Sequence, residues 1–284
     1  MTNLRITGFG KLSLACGSRC VHTFPTRQVE ELLGYLLLNQ AVAHDREKLI
    51  DTLWPARSPV NGRGSLSTVL WRLRNIFRQL GFRACVFIDI TRDTVSFAPQ
   101  CEIQFDVHCF ERLLAKARSE RSLPDKEAVL EEAVGLYQGE LYTSICADWC
   151  LVERERLARL HLRTLGRLMY CHMQRESYRQ AIDLGDRILG EDPLREEVYR
   201  AKMTCYAHLG QRAQVAGEFK QCADKLLTQL AILPSPQTIR TYQKSMQTTI
   251  MPGDRHQEQR LQQAFMEFQW ASERLNRLLD EAVK

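Results

Sequence analysis

No stretch of this chain approaches the roughly 18–20 consecutive apolar residues that a membrane-spanning helix needs, which excludes a helical membrane protein. The N-terminus, MTNLRITGFGKL, lacks the apolar core of a secretory signal, so a cytoplasmic location with no membrane partner is expected. Catalytic signatures are missing as well. There is no Gly-x-Ser-x-Gly, HExxH, Walker or dinucleotide-binding glycine pattern. The 7 histidines are scattered rather than clustered. Paired acids such as Glu131-Glu132 and Glu196-Glu197 fall on charged helix faces. No enzyme is expected, and no residue is assigned to catalysis or to a cofactor.

Zinc-ligand spacing is also absent, although the chain holds 10 cysteines. The closest pairs, Cys16/Cys20 and Cys146/Cys150, are not CxxC, and no second pair follows at zinc-finger distance. His108-Cys109 and Cys171-His172 are adjacent in sequence, so their side chains diverge. In a reducing compartment these cysteines are expected as thiols, most of them buried as small hydrophobes, with no metal.

Charge is present but unevenly placed. At 284 residues the chain is long enough for two domains. Residues 1–105 hold 13 Lys+Arg against 8 Asp+Glu, while residues 106–250 hold 21 against 20 and residues 251–284 hold 5 against 6. The basic excess is therefore confined to the first third. A footprint of that kind marks a nucleic-acid-binding module joined to a part with other partners.

One segment concentrates the excess. Residues 61–80, NGRGSLSTVLWRLRNIFRQL, carry Arg63, Arg72, Arg74 and Arg78 and no acid. On a helical wheel Leu66, Val69, Leu70, Leu73, Ile76 and Phe77 form one apolar stripe. Ser67, Thr68, Trp71, Arg74, Asn75 and Arg78 fall on the far side, with Arg72 at a flank. Such a helix suits the major groove of double-stranded DNA. Arginine forks onto phosphate or onto the guanine edge, and Ser, Thr and Asn add shorter contacts. The competing reading is an ordinary solvated surface helix. Its mixed charges would normally include acids, and none occurs here.

The surrounding pattern gives that helix a setting. Residues 3–24 read as short strands around glycines. A first helix is expected over Thr26–Leu38 with Thr26 as N-cap, and a second over Arg46–Leu53 capped by Asp45. A loop with Pro59 and Gly62 leads to the arginine helix, which stops near Gly81. CVFIDI and TVSFAP then form a hairpin joined at Thr91-Arg92-Asp93. Strands, three helices and a hairpin in that order make a winged helix-turn-helix. The leading sheet makes it similar to the OmpR/PhoB type, and that resemblance implies that Arg92 at the wing tip reaches the minor groove or its phosphates. From Asp106 on the pattern is helical, with one long helix over 148–174 and further helices near 178–190, 195–209, 212–230 and 235–249. A weak self-similarity lies near the 34-residue period of tetratricopeptide repeats. The expected fold is thus mainly α: a winged helix-turn-helix with small β-sheets, then an all-α tetratricopeptide-like domain, which serves as a scaffold.

Several spaced motifs sharpen this. Leu36-Leu37-Leu38-Asn39 is followed by Arg46-Glu47-Lys48-Leu49-Ile50-Asp51-Thr52-Leu53-Trp54, and Leu70-Trp71-Arg72-Leu73-Arg74 follows in the third helix. Leu136-Tyr137-Gln138-Gly139, Asp148-Trp149 and Glu153-Arg154-Glu155-Arg156-Leu157 come next, then Asp192-Pro193-Leu194-Arg195-Glu196 and Pro234-Ser235-Pro236. Together they resemble the bacterial transcriptional activator domain (BTAD) family, of the streptomyces antibiotic regulatory protein (SARP) type. The resemblance spans residues 3–248 and implies domains at 1–105 and 106–250; the tail at 251–284 is not accounted for by it. It implies a transcription activator that binds promoter direct repeats as a side-by-side dimer, with Arg72 and Arg74 on DNA. It also implies recruitment of RNA polymerase holoenzyme, including its sigma factor. The loop from Trp54 to Gly62 is the expected polymerase contact, with Arg57 facing an acidic surface. Two departures stand out: Trp71 replaces a small residue, and Ser67 replaces a typical Gln. No GxxxxGK[ST] pattern occurs, so a short, two-domain version without the ATPase module of larger members is expected.

The tail at 254–283 reads as one amphipathic helix carrying Leu261, Phe265, Phe268, Leu275, Leu278 and Leu279, either a cap on the repeat array or a dimer helix. Two other functions stay open at this level. One is a winged helix used for protein contacts. The other is a regulator whose helical domain senses a ligand or protein and controls DNA binding.

Overall fold

The computed structural model describes residues 4–40, 42–55, 59–82, 87–99 and 102–248. The tail at 251–284 and Arg57 lie outside them. The chain divides into two compact units, residues 1–165 and 166–284.

The first unit opens on a four-stranded sheet. β1 (Leu4–Thr7), β2 (Ser13–Cys16) and β3 (Arg19–Val21) are antiparallel neighbours, and β7 (Ile103–Phe105) adds to β1 in parallel, giving the order β3-β2-β1-β7. Alternation places Leu4, Ile6, Leu14, Cys16 and Phe105 on the buried face. The parallel strand β7 was not foreseen, because three residues leave no periodic signal.

Three helices follow. α1 (Arg27–Leu38) starts after Thr26 and buries Val29, Leu32, Leu33, Leu36 and Leu37 completely. α2 (Arg46–Leu53) is capped by Asp45, whose carboxylate accepts the N–H groups of Glu47 at 2.9 Å and Lys48 at 3.1 Å. α3 runs over Pro59–Gln79. This corrects the expected loop: α3 begins two residues earlier than Asn61, with Pro59 at the first helical position, where its missing N–H costs nothing. Gly62 therefore lies inside the helix. A Cβ there would sit 2.5 Å from Ile50 Cγ2, so glycine permits the close crossing of α2 and α3.

The wing is a three-stranded sheet of order β4-β6-β5, from β4 (His44–Asp45), β5 (Ile88–Ile90) and β6 (Thr94–Phe97). Thr91 closes its turn, accepting the Thr94 N–H on Oγ1 at 2.9 Å. The short strand β4 ties the wing to the start of α2, as does Arg46 N–H on Asp93 O at 2.9 Å. Beneath it Phe77 of α3 stacks on Phe87 with ring centroids 4.5 Å apart.

α4 (Asp106–Ser119), α5 (Leu123–Leu136) and the start of α6 (Asp148–Gln174) complete the first unit. Asp106 accepts the N–H groups of Gly8 at 2.7 Å and Phe9 at 3.1 Å. Tyr142, fully buried, presses on Gly34 and Gly8, where added Cβ atoms would meet its ring at 3.0 and 3.1 Å. Arg154 donates to the carbonyls of Leu141, Tyr142 and Ile145, each at 2.9 Å. Tyr137 packs between Phe9 and His161. The motif residue Tyr137 thus joins the segment after β1 to α6, and Arg154 holds residues 141–145 to α6.

The second unit holds the end of α6 with α7 (Tyr178–Glu191), α8 (Glu196–His208), α9 (Arg212–Leu230) and α10 (Pro236–Thr248). Lys202, 2% exposed, is held by Asp186 and Glu218 at 2.6 Å each. Its stem lies on Gly185, where a Cβ would be 2.8 Å from Lys202 Cγ. The Asp-Pro-Leu-Arg-Glu and Pro-Ser-Pro motifs meet here. Glu196 accepts from Ser235 N–H at 2.9 Å and its hydroxyl at 2.8 Å, and from the Thr238 hydroxyl, so α8 anchors the start of α10.

Candidate nucleic-acid interface

The apolar stripe of α3 is the part of the site that holds everything else still. Leu66, Val69, Leu70, Leu73, Ile76 and Phe77 are all 3% exposed or less. Fully burying side chains of this size contributes on the order of 1.5–3 kcal/mol each, which makes α3 a rigid element. The opposite face is open. Ser67, Thr68, Trp71 and Arg78 are exposed, while Arg72, Arg74 and Asn75 are partly buried. Trp71 stands 61% exposed and, at 3.6 residues per turn, roughly 160° from Leu73. Arg74 and Arg72 fall on its two sides.

Local bonds set what this face can offer. Ser67 and Thr68 donate their hydroxyls to the carbonyls of Arg63 at 3.1 Å and Gly64 at 3.0 Å. Arg78 Nη1 donates to Asn75 Oδ1 at 2.9 Å, which leaves the Asn75 amide N–H groups pointing elsewhere as donors. Arg74 Nε is buried without a hydrogen-bond partner, a donor in want of an acceptor. Arg63 is different: it pairs with Glu47 of α2, and both side chains are well exposed. The sequence showed no acid within the helix, but the fold supplies one from its neighbour. Arg92 is exposed at the wing turn, on the sheet that β4 joins to α2.

One residue escaped sequence reasoning. Arg46 Nη2 donates to Ser67 Oγ at 3.2 Å, so α2 adds a cation to the rim of this face. A basic residue opening a helix, where the dipole disfavours it, was the available signal. The expected polymerase contact at Arg57 falls outside the described residues.

The buried thiols are held in their neutral form. Burial pushes the Cys150 and Cys205 thiols up to about 11 and the Cys222 thiol up to about 12, so they stay protonated. The eight described cysteines are thiols rather than disulfides. No described helix is long and apolar enough to cross a membrane.

A winged helix with an open arginine face, followed in the chain by stacked helices, is an architecture found in bacterial transcriptional regulators. The comparisons give the domain: residues 105–244 match the bacterial transcriptional activator domain, so this part of the chain belongs to that family. The fold is similar to that of Mycobacterium tuberculosis EmbR, solved in complex with a low-affinity phosphopeptide. That likeness has a TM-score of 0.73 at 16% identity and covers 88% of this chain and 67% of the other. No curated protein matches the chain.

Proposed function

We propose that this regulator is a cytoplasmic, sequence-specific activator that lays α3 in the major groove of double-stranded DNA. The observation that carries this reading is the two-sidedness of α3. One face is buried to 3% or less, and the other offers arginine and amide donors without an acid of its own. Arg72, Arg74, Asn75 and Arg78 make the donor contacts, Ser67, Thr68 and Trp71 fill the centre, Arg63 lies toward the helix start, and Arg92 reaches the neighbouring minor groove. Gel shifts across a salt series test this. DNA binding must weaken steeply as salt rises, since each neutralised phosphate releases counterions. Salt-independent retention would count against the groove assignment.

One recognition helix reads too few base pairs for genomic specificity, so two copies bind side by side on direct repeats. Inserting about five base pairs between half-sites turns them to opposite faces of the duplex, and equal affinity for that site would refute the paired arrangement. Activation follows when the bound pair recruits RNA polymerase holoenzyme through its sigma factor, with the loop around Arg57 as contact. Arg57→Glu with Pro59→Ala is expected to lose transcription and keep DNA binding. Full transcription from that variant would move the contact elsewhere.

A second reading rests on the fasteners between the winged helix and α4–α6. Asp106, which accepts from Gly8, and Tyr142, which donates to Gly34, bind the two parts into one unit. A ligand or protein held by the helical part could then control DNA binding. Thermal shifts with candidate metabolites would separate this from constitutive activation.

A further inference from the structure

The recognition face has a chemical bias that narrows what it can read. Its polar members are donors: three guanidinium groups and the Asn75 amide, whose oxygen is occupied by Arg78. Ser67 and Thr68 have spent their hydroxyl protons on carbonyls of their own helix. Gly64, Ser67 and Thr68 keep the first half of the face low, and nothing lies within 4 Å of a Cβ built on Gly64. From this low ground a single large apolar group stands out. Trp71 is the one exposed tryptophan among the described residues, at 61%. Trp54 is 7% exposed, and Trp149 is partly buried against Tyr35.

In the major groove only one base-pair feature is apolar, the C5 methyl of thymine. An indole at the centre of the face, flanked by arginines, meets base edges rather than the phosphates at the rim. We propose that Trp71 is the specificity-determining residue of this regulator and packs on a thymine C5 methyl. Arg72 and Arg74 take acceptor-bearing purine edges or phosphates on either side. The proposal rests on the DNA-binding reading above and adds the base that the centre of the face selects.

The test starts from randomised duplexes retained by the full chain. In the best retained duplex each thymine is replaced in turn by uracil, which deletes the methyl and nothing else. One or two positions per half-site are expected to bind about four-fold more weakly, the equivalent of one buried methyl group. In Trp71→Ala the same uracil duplexes bind as well as their thymine parents, and Trp71→Phe keeps the thymine preference. Trp71 is exposed, so both variants should melt like the parent chain, and a melting curve confirms it. Retained duplexes in which no uracil exchange matters would overturn the proposal while leaving DNA binding intact. An equal loss by Trp71→Ala and Trp71→Phe on every duplex would place the indole N–H on phosphate, and overturn it too. If no duplex is retained at all, the DNA-binding reading itself fails, and this inference falls with it.

Discussion

The second unit and helix α3 of the first treat their charged residues in opposite ways. In the second, charge is consumed by the fold. Lys202 is enclosed between Asp186 and Glu218, Arg195 donates to Asp192 at 2.8 Å, and Arg200 donates to Thr238 at 2.9 Å. In the first, the arginines of α3 lie on its open side, Arg63 and Arg78 exposed and Arg72 and Arg74 partly buried. Arg78 rests on a neutral amide, Arg74 has a donor unmet, and only Arg63 meets an acid among the described partners of this helix. A charge buried with its partner becomes part of the structure, because separating the pair exposes a desolvated ion. A charge left without an acid stays available to an anion. The same residue types thus build a scaffold in one unit and an interface in the other.

The sharpest way to break that contrast is Lys202→Met. It strands Glu218, which is 8% exposed, and should destabilise the second unit by about 3–5 kcal/mol. Denaturant unfolding would read this as a lowered midpoint. Near-parental stability would mean that the triad is not structural.

Arg72→Ala with Arg74→Ala comes next and should do the converse. DNA affinity should fall by roughly 2–6 kcal/mol, from two contacts of about 1–3 kcal/mol each. The melting temperature should not change. A variant that binds DNA as before would remove α3 from the interface.

Ser235→Ala should cost about 1 kcal/mol, since its hydroxyl caps α10 and meets Glu196. Glu196 adds a pH dependence. Burial raises its carboxyl, but the hydrogen bonds from Thr238 and Ser235 and the nearby Arg200 outweigh burial and hold it below its ordinary 4.5. A depressed carboxyl stabilises the fold above its ordinary value, and the contribution is lost as pH falls through the lowered one. Glu196→Gln should therefore flatten the stability profile below about pH 4.5, where the parent declines. An unchanged slope would remove Glu196 from that role.

The smallest effect is expected at Arg63→Ala. Its pair with Glu47 is exposed on both sides, and such pairs contribute about 0–1 kcal/mol to stability. DNA affinity should drop less than for Arg72→Ala, because Glu47 already neutralises the charge. A loss as large as that of Arg72→Ala would show that the pair opens on DNA.

Much of this molecule was legible in the chain itself. Period and caps determined α1, α2, α6 and α9 nearly to the residue, because each carries a regular apolar stripe between recognisable ends. The same periodicity assigned the buried stripe and the open face of α3, since both follow from 3.6 residues per turn. The BTAD motifs, too, stood in the sequence, but their work did not. That Arg154 satisfies three carbonyls, or that Glu196 caps α10, requires residues 9 to 42 positions apart to meet. Only the tertiary structure decided the strands β4 and β7, which are too short to carry a period and exist through their partners. It decided the pairing of Arg63 with Glu47 and of Arg46 with Ser67 as well. Charge and periodicity along one helix are local properties, and a chain displays them directly. Which neighbour neutralises a charge depends on how separate helices pack, and that is settled when the core closes.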